Sequence, residues 1–169
     1  MRKLLLFLSS LAVIALNHTS QAKPATPACT DQEFHHFDFW VGNWKATNPQ
    51  GDEVGISEVS RVSGGCAVRE HWHAASGGDG ISLNYYSRED RQWHQDWVGA
   101  DGTILHLHGN FSHSAMVLSD ETRTGKSHSI NRITWTPLSG GKVKQQWDIS
   151  TDNGKTWQIS FVGLYEKRS

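Results

Sequence analysis

From Trp44 to the end of the chain, turn signals recur at roughly ten-residue spacing, which leaves room for strands and hairpins and for little else. The breaks are Asn48-Pro49-Gln50-Gly51-Asp52, Ser63-Gly64-Gly65, Ser76-Gly77-Gly78-Asp79-Gly80, Arg88-Glu89-Asp90-Arg91 and Ala100-Asp101-Gly102. After the run that opens at Trp44, strands fit residues 53–62, 66–74, 81–87, 92–98, 103–111, 115–118, 128–136, 142–149 and 157–165. Long helical periodicity is absent from all of this, so the crossovers of a parallel sheet have nothing to be made from. Consecutive antiparallel hairpins remain. Open edges of this length would invite aggregation, so the predicted fold is all-β, an up-and-down antiparallel barrel of about ten strands.

Ahead of the first strand stands Phe37-Asp38-Phe39-Trp40-Val41-Gly42-Asn43-Trp44, with four aromatics and one glycine. A glycine two residues before a tryptophan at the entry of a meander predicts a sharp turn and a ring that plugs one end of the barrel. Residues 31–40 are predicted to form a short helical turn capped by Thr30 or Asp31.

The chain starts Met1-Arg2-Lys3, continues with an apolar run over residues 4–16 and reaches small residues at Ser20 and Ala22. That order reads as a signal peptide over residues 1–22, since a membrane span would need about 18 or more apolar residues. An N-terminal arm over 23–33 and a single barrel domain over 34–169 follow. Without Arg2 and Lys3 there are 14 basic against 17 acidic side chains, a formal −3, and no basic stripe of the kind nucleic acid requires. The expected location is periplasmic or secreted, as a monomer with no stable membrane insertion. Cys29 and Cys66 are the only cysteines, and in an exported protein an even pair is read as a disulfide. Two free thiols are the alternative, and metal ligation is disfavoured because neither belongs to a Cys-x-x-Cys group.

Alternation along strands assigns faces. Cys66, Val68, Glu70 and Trp72 are predicted to point inward, with Arg69, His71 and His73 outward. Their inward counterparts are Leu83 and Tyr85, then Trp93, Gln95 and Trp97, then Arg132 with Thr134 and Gln145 with Trp147. Eight tryptophans exceed what one plug and a core require. Tryptophan walls interrupted by a few polar groups describe a ligand pocket better than a dry core. The predicted ligand-binding set is therefore Glu70, Trp72, Trp93, Gln95, Trp97, Arg132 and Trp147, for a small organic molecule of unspecified class and with no cofactor. Beside this binding reading stand an enzyme with Glu70 as general base and Arg132 steadying developing negative charge, and a structural reading in which the two pair inside the barrel for register.

Among ten histidines, the pairs His71 with His73 and His106 with His108 each place two imidazoles on one strand face. His94, Asp96, His113 and His128 are the available further ligands. No spacing fixes a third, so the residues are read as a polar outer face and no metal is assigned, with a His-based metal-binding protein standing as an alternative. The last hairpin carries Ser150-Thr151-Asp152-Asn153-Gly154-Lys155-Thr156-Trp157, an Asp-box. One copy cannot make a propeller, and its physics is that of a turn.

The aromatic opening, Gly64-Gly65-Cys66, Trp93-His94-Gln95-Asp96-Trp97-Val98 and Asp101-Gly102 together resemble a family of exported bacterial domains of unknown function that look like lipocalin or calycin-type barrels. The resemblance covers almost the whole chain after residue 22. It implies a closed antiparallel barrel with an inner cavity and brings no catalytic residue with it.

Overall fold

The computed structural model describes residues 29–120, 122–124 and 127–168, so the predicted signal peptide and the first part of the arm lie outside the described residues. Two 3-10 turns, Gln32–His35 and Asp38–Trp40, precede the strands. The strands are β1 (Gly42–Thr47), β2 (Glu53–Val62), β3 (Ala67–Ala74), β4 (Asp79–Ser87), β5 (Gln92–Gly99), β6 (Ile104–Ser112), β7 (Ala115–Ser119), β8 (Thr122–Thr124), β9 (Ser127–Pro137), β10 (Val143–Ser150) and β11 (Gln158–Lys167). Every pairing is antiparallel. β1 to β7 follow in chain order, β7 pairs with β9, β9 with β10, β10 with β11, and β11 returns to β1 from Trp44↔Lys167 to Thr47↔Leu164. Ten strands thus close into an up-and-down barrel, and β8 pairs with β9 beside the ring. Among the described residues no helix is long and apolar enough to cross a membrane.

The aromatic opening closes one end. Phe34, Phe37, Trp40 and Trp44 are all buried. Phe37 meets Trp93 and Trp135 edge to face at 5.6 and 5.2 Å between ring centroids, and Trp40 stacks on Trp44 at 5.5 Å. The Trp44 indole N–H donates to the Trp40 carbonyl at 2.9 Å, tying the second 3-10 turn to β1. Gly42 does not make the predicted turn. It is the first residue of β1, where a Cβ would lie 3.3 Å from the Trp44 ring, so the glycine clears space for the plug. Arg61 of β2 fastens the turns from outside, donating to the carbonyls of Phe34 (2.8 Å) and Gly65 and pairing with Asp38.

A disulfide joins Cys29 to Cys66, across a sequence separation of 37. It anchors the arm beside the start of β3 and suits an oxidising, extracytoplasmic setting. Cys66 itself precedes β3, with helical backbone angles, so strand alternation assigns it no face. Replacing both cysteines by serine is expected to cost about 3 to 4 kcal/mol by the loop-closure argument. Urea denaturation measures it, and a loss below about 1 kcal/mol would show the arm to be detached from the cooperative unit.

Candidate functional site

Behind the plug the barrel interior is not filled. A cavity of about 280 Å³ is lined by Glu70 and Trp72 of β3, Gln95 and Trp97 of β5, Leu105 of β6, Ile133 of β9, Gln145 and Trp147 of β10, and Ser160, Phe161 and Tyr165 of β11. It lies toward the end that carries the β3–β4, β5–β6 and β10–β11 turns, opposite the aromatic plug.

Two interior glycines seat the indoles of its walls. At Gly80 of β4, two residues before Ser82, the partner of Trp97 across the ladder, an added Cβ would lie 2.2 Å from the Trp97 ring, and at Gly55 one would lie 2.6 Å from the Trp72 ring. The rings therefore occupy the space that a side chain at either glycine would need. Gly80→Ala is expected to push Trp97 into the cavity, at a cost of about 1 to 3 kcal/mol for overpacking. A shifted tryptophan emission together with a lower melting temperature checks this. Unchanged emission would place the ring elsewhere.

Glu70 is the chemical centre of the lining, with only 3% of its surface exposed. The Ser57 hydroxyl donates to its Oε1 at 2.8 Å and the Ser82 hydroxyl to its Oε2 at 3.1 Å. The next links fix the direction of the network. The Asn84 side-chain NH₂ donates to the Val68 carbonyl at 3.1 Å, which can only accept, and to Ser82 Oγ at 3.0 Å. The Gln95 NH₂ then donates to Asn84 Oδ1 at 2.8 Å. Apart from the Asn84 donation to Val68, the donations run toward Glu70, from Gln95 through Asn84 and Ser82 and from Ser57, an arrangement that suits a carboxylate. Burial acts the other way and dominates, raising the carboxyl above its ordinary value while the two serine hydroxyls lower it. Across the cavity, burial and then the charge of Glu70 keep Tyr165 a neutral phenol, and its hydroxyl donates to Gln145 Oε1 at 2.6 Å. Among the described residues the lining holds no lysine, arginine or histidine.

Of the predicted set, Glu70, Trp72, Gln95, Trp97 and Trp147 meet at the cavity. Trp93 does not. It belongs to the plug, packed on Phe37, with its indole N–H donating to the Glu33 carbonyl at 3.1 Å. Arg132 lies on the outer face, because Asn131, Ile133 and Trp135 take the inward positions of β9. Its guanidinium donates to Asp148 at 3.3 Å and covers the Trp157 ring at 3.8 Å, beside a shallow outer cleft with Thr134, Thr136, Lys144 and Gln146. Neither the inward Glu70–Arg132 pair nor a catalytic partnership between the two is present. The phase of β4 is also reversed: Ser82 and Asn84 face inward, while Ile81 and Leu83 are 46% and 40% exposed.

The Asp-box forms the turn read from its sequence. Asp152 accepts from the backbone N–H and hydroxyl of Thr156 at 2.8 and 2.6 Å, and these bonds hold its carboxyl down at about 2. The Trp157 indole N–H donates to the Gly154 carbonyl at 3.1 Å. On the outer face His94 pairs with Asp90 and His106 with Asp96. His128 lies on β9, outside the side chains described.

No family model matches the chain, and no curated protein matches it in sequence. What the structure bears out of the resemblance is the closed ten-stranded antiparallel barrel.

Proposed function

We propose that this barrel binds a small organic molecule whose polar end donates hydrogen bonds or carries positive charge. One observation carries the reading: a buried carboxylate, fed by donors on its protein side, faces an aromatic-walled cavity without a basic residue in its lining. An uncompensated carboxylate is costly in such a place, and a ligand cation or N–H group offsets that cost. Trp72, Trp97, Trp147, Phe161 and Tyr165 supply what an organic ammonium needs besides a counter-charge, since the negative faces of aromatic rings attract cations. The disulfide supports a periplasmic or secreted setting.

The test is a matched series followed by tryptophan fluorescence: benzylammonium and choline against benzyl alcohol and benzoate. The ammonium compounds should quench or shift the emission, the alcohol weakly, and benzoate least. Glu70→Gln should weaken ammonium binding by about 1.5 to 3 kcal/mol, the range for hydrogen bonds to charged groups. Arg132→Met, which alters only the outer face, should leave it unchanged. Preference for benzoate, or equal affinities in Glu70→Gln, would defeat the proposal.

A further inference from the structure

On the outside of the barrel wall that carries Trp72, three side chains converge in a manner unlike the rest of that surface. His71 and His73 are alternate residues of β3 and share its outer face. Their rings lean together until the centroids are 3.9 Å apart, well inside the roughly 7 Å between alternate residues of a strand. The cause is Asp79, the first residue of β4, which lies directly across from His73. Its Oδ2 is 3.0 Å from His73 Nδ1 and 3.1 Å from His71 Nε2. Elsewhere on this face each carboxylate serves one imidazole, Asp90 with His94 and Asp96 with His106. Among the described residues Asp79 is the one carboxylate shared by two.

We infer that His71, His73 and Asp79 form a binding site for a divalent transition-metal ion of the Zn²⁺ type. The three ligand atoms lie within 4.8 Å of one another. Bonds of about 2.0 to 2.1 Å in tetrahedral array place ligand atoms about 3.3 Å apart, close to the two nitrogen-to-oxygen separations found. The wider gap, between the two nitrogens, closes by a small rotation of either ring. Side-chain exposures of 28% for His71 and 39% for His73 leave room for that movement. Each imidazole presents a lone pair once its proton moves, through solvent, to the ring's other nitrogen, Nδ1 of His71 and Nε2 of His73. The remaining coordination position would be taken by water, as in three-ligand zinc sites.

Imidazole with one carboxylate selects borderline cations such as Zn²⁺ or Cu²⁺ over Mg²⁺ or Ca²⁺, which prefer all-oxygen sets. The backbone is already set for this. β3 is paired on both sides, to β2 and β4, and the intervening turn is closed by Ala74 N–H donating to the Gly78 carbonyl at 2.8 Å. Glu58 stands opposite His71 on β2 and is exposed on the same outer face, adding negative potential near the site. This inference does not depend on what the inner cavity binds.

The experiment is titration of the untagged protein with Zn²⁺ alone, in competition with a chromophoric chelator, followed by Co²⁺ substitution. One ion per chain is expected, with a Co²⁺ ligand-field spectrum of tetrahedral intensity. His71→Gln, His73→Gln and Asp79→Asn should each lower Zn²⁺ affinity tenfold or more. His94→Gln and His106→Gln should leave it within twofold. Circular dichroism confirms folding of each variant, and the milder Asp79→Asn keeps the test open should a histidine variant misfold. Absence of one-to-one binding below about 100 μM, or equal affinity in the His71, His73 and Asp79 variants, overturns the inference.

Discussion

Phe37→Ala is expected to destabilise the barrel by about 3 to 5 kcal/mol, the range for deleting a large buried aromatic. The side chain is fully buried and stands at the junction of three rings, edge on to Trp93 and Trp135 and tilted against Phe39. Two features place it toward the upper part of that range. The lost edge-to-face contacts each add to simple area burial. The hole left behind is walled by indoles fixed on different strands, so it cannot collapse. Urea denaturation followed by tryptophan emission measures the loss. A cost under about 1 kcal/mol would mean that the barrel folds without its plug, and the aromatic opening would then be a decoration on an independently stable sheet.

The plug was legible because its signal is local: four aromatics stand beside the first strand. Glu70, Trp72, Gln95, Trp97 and Trp147 were legible for a different reason, since each sits on a strand where alternation has one sensible phase. The misplaced residues show where that rule loses its force. Along β4, Leu83 and Tyr85 read as the inward set, yet Glu70 pairs across the ladder with Ser82. A buried carboxylate needs donors, so the polar positions turn inward and the aliphatic ones outward. On β9, Asn131, Ile133 and Trp135 alternate with Arg132 and Thr134, and apolar burial fixes the phase against Arg132. On β11 both faces carry apolar residues, and alternation gives no answer. There a bulge decides: Trp147 pairs with Phe161 and Asp148 with Ile159, skipping Ser160. Ser160 and Phe161 consequently both reach the cavity. A bulge of this kind is set by pairing between strands, which a single strand's sequence does not record.

Glu70→Gln should change how stability depends on pH, and the sign of the change separates a buried acid from a satisfied anion. Burial raises the carboxyl of the folded protein above its ordinary 4.5, and the donations from Ser57 and Ser82 only partly oppose it. Below about 4.5 the residue is protonated in folded and unfolded chains alike, so acidity costs the fold nothing. As pH rises past that value the unfolded chain releases its proton first. The parent protein then loses stability until the pH passes the folded carboxyl's own, higher value, after which the loss is constant. Each tenfold difference in acidity between the two states is worth about 1.4 kcal/mol. The glutamine variant lacks this titration. Its stability relative to the parent should therefore climb as pH rises above about 4.5 and level off once the pH passes the folded carboxyl's own value. Asp152, held down at about 2, titrates with the opposite sign, contributing stability that is lost as pH falls toward 2, but it is common to both proteins and cancels in the difference. An organic ammonium in the cavity should flatten the climb, because a positive charge beside Glu70 favours its ionised form and lowers the folded value again. Melting temperatures of both proteins from pH 4 to 8, with and without benzylammonium, supply the comparison. A difference that is flat in the absence of ligand would mean that the serine donors already hold Glu70 at its ordinary acidity, and the carboxylate would need no cation to complete it.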